Sequence, residues 1–350
     1  MGPAGPKILF ATVIAFLVGA IFYITAPEPD VRGSSVSSVS AVPVSSNPGH
    51  NRSNHLIYLV SDTRIPYWRI MGRGIENAAE TYGYALSIYD SGNDPKKELE
   101  HAVQAIRENA TGIVVSPTTS SACATILKLA KKANIPVVIA DIGTDGGDYV
   151  SYIASDNKDG AYRIGQVLTR ALKDTGRHSG RVGIIAIPQK RLNGQARTAG
   201  FMQALEEAGF KGAGIKQQSS FSYRETYDYT RELIAETPDL RAIWLQGSDR
   251  YRGALDAIAD AGKKNDILLV TFDAEPEFLR LIPEGVLLGS AMQQPYLMGQ
   301  EAVATLDRHL RGFPVEKNRL LPVLAVSAEN IAQELPTIRR NVLGIEGKSE

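Results

Sequence analysis

LIYLVSDTRIPYWRIMGRGIENAAETYGYALSIYD, residues 56–90, decides the fold class. An apolar run at 56–60 leads into a polar loop at 61–65. Pro66 follows, a residue suited to the first turn of a helix because an N–H there has no intrahelical partner. Ile70, Gly74, Ile75, Ala78, Ala79 and Tyr82 recur at helical spacing, Gly83 ends the helix, and 86–89 reads as the next strand. The unit is β-loop-α-β, with Tyr67 and Trp68 placed where the first strand's carboxyl end meets the helix. In open α/β sheets, ligands sit at that position.

The alternation continues outward. The pattern predicts a helix over 95–109, capped by Asn93 or Asp94 with Leu99, Val103 and Ile106 inward, then helices at 121–133 and 158–173. Strands fall at 112–115, 136–140 and 150–154. The plan then restarts with a strand at 181–187, a polar loop at 188–194 and a helix at 195–208 ending in Gly209-Phe210, as the first copy ends in Gly83-Tyr84. Helices at 223–237, 252–261, 275–282 and 296–311 alternate with strands at 242–245, 268–271 and 286–291, and a last strand covers 321–326. Strands alternating with helices specify α/β architecture with doubly wound parallel sheets. Two similar halves imply a cleft between two lobes.

The chain has 350 residues, enough for two lobes, and its 38 basic and 38 acidic residues balance. That balance gives no electrostatic footprint for nucleic acid. The single cysteine, Cys123, excludes an intrachain disulfide framework and a cysteine-rich zinc site. Residues 8–25 are apolar and about as long as the roughly 17–25 residues that a membrane span needs. Lys7 precedes them and Glu28 and Asp30 follow, which keeps the short N-terminus inside and the body outside. Residues 1–30 therefore read as an uncleaved signal anchor, with a cleaved signal peptide as the alternative. Residues 31–54, rich in Ser, Val, Pro and Gly, read as a flexible tether, and the body as an exported, periplasmic domain.

Enzymatic signatures are missing. Gly72-Arg73-Gly74 lacks the third glycine of a dinucleotide fingerprint and lies inside a helix, where it reads as close helix–sheet packing. No phosphate-binding loop and no nucleophile elbow occur, and no two of the five histidines have metal-ligand spacing. The chain reads as a binding protein with neither cofactor nor catalytic residues.

SDTRIPYW, YDSGNDPKKE, VVSPTTSSA, IPVVIADIG, SYIASDNKDGA, QARTAGF, TFDAEPE and SAMQQP stand in one order and spacing. Together they resemble the type I periplasmic binding proteins of the ribose and galactose branch, over roughly residues 54–330. The resemblance implies a Venus-flytrap: two lobes that close on a ligand by hinge bending. It divides the chain into a first lobe of 55–155 plus 294–322 and a second of 156–293 plus 323–336; residues 337–350, mostly polar, read as a loose tail. The resemblance also implies the ligand contacts. Tyr67 and Trp68 match an aromatic pair against the ligand's apolar face, and Phe221 matches an aromatic from the second lobe. Asp141 and Asp273 match hydroxyl-accepting carboxylates, Arg197 a cleft arginine, and Gln293 an amide near the crossover.

Three positions depart from that pattern: Ile65 and Gly247 replace asparagines, and Ile142 replaces an arginine. Asp249 is the nearby side chain that offers a substitute at the second asparagine. Asp90 and Asp156 read as structural caps or hinge contacts. The implied ligand is a small sugar or sugar-like molecule, presented to an inner-membrane ABC permease or a sensor kinase. The alternative is a sensor subunit that binds a quaternary amine or amine oxide, with aromatic faces against the cation.

Overall fold

A computed structural model describes residues 54–345, so residues 1–53, which hold the anchor or signal peptide and nearly all of the tether, lie outside the described residues. The first sheet contains β1 (His55–Val60), β2 (Ala85–Asp90), β3 (Gly112–Ser116), β4 (Val137–Ala140), β5 (Ser151–Ser155) and the late strand β11 (Asn318–Leu321). Its order is β2-β1-β3-β4-β5-β11, parallel throughout. The second contains β6 (Arg181–Ala186), β7 (Lys211–Gln217), β8 (Leu240–Leu245), β9 (Leu268–Phe272), β10 (Gly289–Met292) and β12 (Leu324–Ser327). Its order, β7-β6-β8-β9-β10-β12, repeats the plan, with β12 antiparallel to β10. Helices cover both faces of a parallel sheet, so the central strands β1, β3 and β4 are apolar without alternation. In each sheet the winding reverses, at β1 in the first and β6 in the second, and ligand crevices open at the carboxyl ends beside such reversals.

Helix α1 (Pro66–Tyr82) begins at Pro66 and ends at Gly83, whose φ of +76° closes the cap, as the sequence predicts. Helix α2 (Pro95–Arg107) is capped by Asp94, whose carboxylate accepts from the Lys96 N–H. Its fully buried residues are Glu98, Ala102 and Ala105, while the expected Leu99 and Ile106 are half-buried and pack against the same core. The addition to the expected face is Glu98, whose carboxylate accepts from both the N–H and the hydroxyl of Thr118. Helix α3 (Ser120–Lys132) carries the buried Cys123, and α4 (Asn157–Asp174) is capped by Asp156. Helix α5 (Leu192–Ala208) starts three residues before the expected point, which makes Arg191 its N-cap. Helices α6 (Tyr223–Glu236), α7 (Tyr251–Asp260), α8 (Phe278–Leu281) and α9 (Pro295–Leu310) follow, α8 being one turn where 275–282 was expected.

The chain passes between the sheets three times. It leaves the first after β5, returns through α9, and crosses again between β11 and β12. The sequence suggests one strand over 321–326, but Pro322 and Val323 separate two short strands on different sheets, because proline cannot donate to a ladder. Gln294 Nε2 donates to the Pro322 carbonyl at 2.8 Å and ties two of the crossings together. Residues 337–343 are not loose. Ile338, Val342 and Leu343 recur on one face and sit in the core with Ile70, Met292 and Leu281, and Arg73 donates to the Leu343 carbonyl. Their spacing, more than their polar neighbours, settles the segment.

The glycines of α1 do two different jobs. A Cβ on Gly72 would meet Tyr58 and Ile88 of the sheet at an ordinary 3.9 Å. One on Gly74 would lie 2.1 Å from the Tyr296 carbonyl oxygen of α9. The tight contact there is helix on helix, not helix on sheet.

Candidate functional site

Five of the seven expected site residues form one buried polar cluster fed by both lobes. From the first come Tyr67, in the opening turn of α1, and Asp141, at the end of β4. The Tyr67 hydroxyl donates to Asp141 Oδ1 at 3.0 Å. From the second come Arg197 of α5, Asp273 at the end of β9 and Gln293 after β10. Arg197 Nη1 stands 3.8 Å from Asp273 Oδ2, and Gln293 Nε2 donates to Asp273 Oδ1. The other two, Trp68 and Phe221, line an adjoining cavity of about 310 Å³ that also touches Ile65, Asn93, Arg191 and Asp249. Tyr67 and Trp68 meet edge to face, with ring centroids 5.0 Å apart.

Arg197 is only 3% exposed, and its orientation is set by partners that sequence reasoning missed. Nε donates to Asn157 Oδ1 at 2.8 Å, Nη1 donates to the Gln246 carbonyl at 3.0 Å, and the guanidinium lies 3.8 Å from the centroid of Phe272. Three contacts on one planar group leave it a single pose, which suits a fork that must meet a ligand oxygen.

Three of the expected residues hold unusual backbone. Asp141, Phe221 and Asp273 have φ of +69°, +51° and +71°; the only other non-glycine residues with positive φ among those described are asparagines. Asparagine and, less often, aspartate tolerate this region, but for phenylalanine it is a genuine outlier. Such strain concentrates at ligand sites, where the surroundings over-determine the conformation. It turns each side chain out of its strand or loop and into the space between the lobes.

Burial raises the Asp141 carboxyl to about 6; Arg197 pulls it down and Asp273 pushes it up. Burial also raises Asp273, against the pull of Arg197 and the Gln293 amide. Tyr67 is pushed well up by burial and by Asp141, so it stays a neutral donor. Gln293 is 1% exposed, and its amide oxygen has no hydrogen-bond donor among the described residues.

The departures from the family pattern have physical counterparts. Ile142 is buried in the first-lobe core. Gly247 leaves room for Arg250, whose Nη2 would lie 2.8 Å from a Cβ there. Arg250 pairs with Asp249 and stands 5.0 Å over the Phe221 ring, so Asp249 is committed to an ion pair. Asp90 accepts from Thr63 and the Gly92 N–H, and Asp156 caps α4, so both are loop ties.

Two sheets wound to one plan, with a strained, buried polar cluster between them, are the architecture of a solute-binding protein. The matching family model, described as a periplasmic binding protein domain, covers residues 56–313. The ribose import binding protein of Haemophilus influenzae is 32% identical over 73% of this chain and 86% of that protein. Its counterpart in Escherichia coli K12 is 29% identical over 79% and 93%. Among solved structures, an Agrobacterium radiobacter carbohydrate transporter solute-binding protein in complex with D-arabinose superposes with a TM-score of 0.75. It shares 23% identity over 82% of this chain and 98% of that one. An Actinobacillus succinogenes 130z protein with bound D-allose gives 0.74, at 19% identity over 80% and 99%. The chain belongs to the periplasmic binding proteins, type I, in the ribose-binding family. That is a family of non-enzymatic, periplasmic transport components.

Proposed function

We propose that the chain captures a small sugar by closing its two lobes, and delivers it to the permease of an ABC importer. The observation that carries the ligand class is the orphaned acceptor on Gln293, beside the carboxylates of Asp141 and Asp273. A buried acceptor without a donor is costly, by about 1–3 kcal/mol, and a ligand hydroxyl relieves it. A quaternary amine has no hydrogen to give these oxygens, so the cluster favours a hydroxylated ligand. The sugars named for the relatives support the same class. Ile65 and Ile142, in place of polar residues, favour a ligand with fewer hydroxyls to satisfy than an ordinary hexose. Tyr67, Asp141, Arg197, Asp273 and Gln293 supply the polar contacts, and Trp68 and Phe221 the apolar faces.

The test is a thermal-unfolding screen with D-ribose, D-allose, D-arabinose and trimethylamine N-oxide. A ligand at about 100 times its Kd adds roughly 2.7 kcal/mol. Stabilisation by the amine oxide alone, with none by any sugar, overturns the reading. Residues 8–25 extend the proposal to the membrane: full-length mass in a membrane fraction supports an anchor and a sensory role beside a receptor. A shorter soluble form supports a free importer subunit.

The ionisation of Asp141 gives a second test. Hydroxyls donate best to a carboxylate, so affinity for the bound sugar should fall as pH drops through about 6, by up to about tenfold per unit below it. Stability should move the opposite way. A folded-state value raised above that of the unfolded chain contributes stability that is fully present below the unfolded value and lost as pH rises through about 6. Calorimetric titration between pH 8 and about 5, with Asp141→Asn as control, reads the first. An affinity flat across that range removes Asp141 from the contact set.

A further inference from the structure

Arg191 breaks a local rule. As the N-cap of α5 it brings no oxygen to the free N–H groups and makes no side-chain cap bond. It also puts a positive charge at the positive end of a helix, where Ser, Thr, Asp or Asn is preferred. A residue that opposes its own element is expected where function outweighs local preference.

The side chain shows what it gains instead. Its Nη2 leaves the second lobe and donates to two oxygens of the first, Asn93 Oδ1 and the Thr118 carbonyl, each at 3.3 Å. Both acceptors are held in place. Thr118 is buried and donates its N–H and hydroxyl to the Glu98 carboxylate, each at 2.8 Å. Asn93 sits at φ +64° with its N–H bonded to the Ser61 carbonyl at 2.6 Å. On its own side, the guanidinium lies 5.8 Å from the Phe221 ring. It lines the same cavity as Trp68 and Phe221.

We propose that Arg191 is the clasp of the cleft: a positioning residue that bridges the lobes at the cavity mouth, holds them closed and slows release of the ligand. The hinge-bending part of this rests on the function proposed above. Opening the lobes must break both Arg191 bonds, because donor and acceptors lie in loops of opposite lobes. Removing the clasp lowers the closed fraction, and apparent affinity falls in proportion.

The test uses spin labels on the full chain at Lys97→Cys and Arg224→Cys, exposed positions on opposite lobes. The native Cys123 is buried and its thiol pushed up to about 12, so it does not take label. Ligand-free protein with Arg191 intact should give a short, closed-lobe distance beside the longer one of the open state. Arg191→Ala should shift weight to the longer distance, and Arg191→Lys should not restore the original balance. Asn93→Gly, which keeps the left-handed backbone and deletes one acceptor, should have a partial effect. With D-ribose as probe, Arg191→Ala should dissociate about tenfold faster, as expected for losing charge-assisted bonds. A distance distribution in Arg191→Ala identical to that of the intact chain overturns the clasp. If D-ribose binds neither form, the ligand reading fails, and the ligand-free distances still decide the clasp.

Discussion

Arg197→Ala should abolish useful ligand capture, weakening affinity by about 30-fold or more, and should also lower stability. Arg197 is the buried cation between Asp273 and the first-lobe carboxylate Asp141, and its pull keeps both from rising further. Removing it leaves buried carboxylates without compensation, a change that costs about 3–5 kcal/mol when one partner of a buried pair is deleted. Both carboxyls then rise further, and a carboxyl that takes up its proton is a poorer acceptor for a ligand hydroxyl. The 2–5 kcal/mol typical of truncating one member of a buried, hydrogen-bonded charge pair corresponds to about 30-fold to several thousand-fold in Kd. Arg197→Lys should rescue little, because an ammonium cannot serve Asn157 Oδ1 and the Gln246 carbonyl together. Calorimetric titration and urea unfolding measure the two effects. A variant that binds within about threefold of the parent would show that the cluster is structural.

Gly299→Val should destabilise the first lobe by about 3 kcal/mol or more, the upper range for overpacking. A Cβ on Gly299 would sit 2.3 Å from the Met71 carbonyl oxygen, and one on Gly74 lies 2.1 Å from the Tyr296 oxygen. These glycines face each other where α1 and α9 cross, so neither backbone can retreat without parting the helices. The second lobe repeats the device: a Cβ on Gly200 of α5 would fall 2.0 Å from the Lys158 oxygen of α4. Gly83→Ala is the contrasting control, since nothing lies within 4 Å and only the φ of +76° is strained. It should cost about 1 kcal/mol. Equal losses at Gly83 and Gly299 in urea midpoints would refute the helix-crossing account.

Much of this was legible in the chain. Pro66, Gly83 and the apolar periodicity between them place α1 to the residue, because caps and burial period are local properties. The strand ends, and hence the position of Tyr67, follow from the same patterning, while Asp141 and Asp273 became candidates through the resemblance to the periplasmic binding proteins. The burial of Glu98 in α2 was not legible, since a buried carboxylate is explained only by Thr118, twenty residues away. The tail misled the reading through composition, although the spacing of Ile338, Val342 and Leu343 carried the answer.

The sequence by itself determined the order of elements, the duplicated α/β plan and which loops stand at the sheets' carboxyl edges. Each of these depends on residue period and on caps within a few positions. The tertiary structure alone decided which side chains share the cleft: Tyr67 with Asp141, 74 residues apart, and Arg191 with Thr118, 73 apart. It also decided that Asp141, Phe221 and Asp273 adopt left-handed backbone, which for Phe221 runs against local propensity. Such contacts arise from how two separately wound sheets meet, and that geometry is set by packing across the chain, beyond the reach of any local pattern.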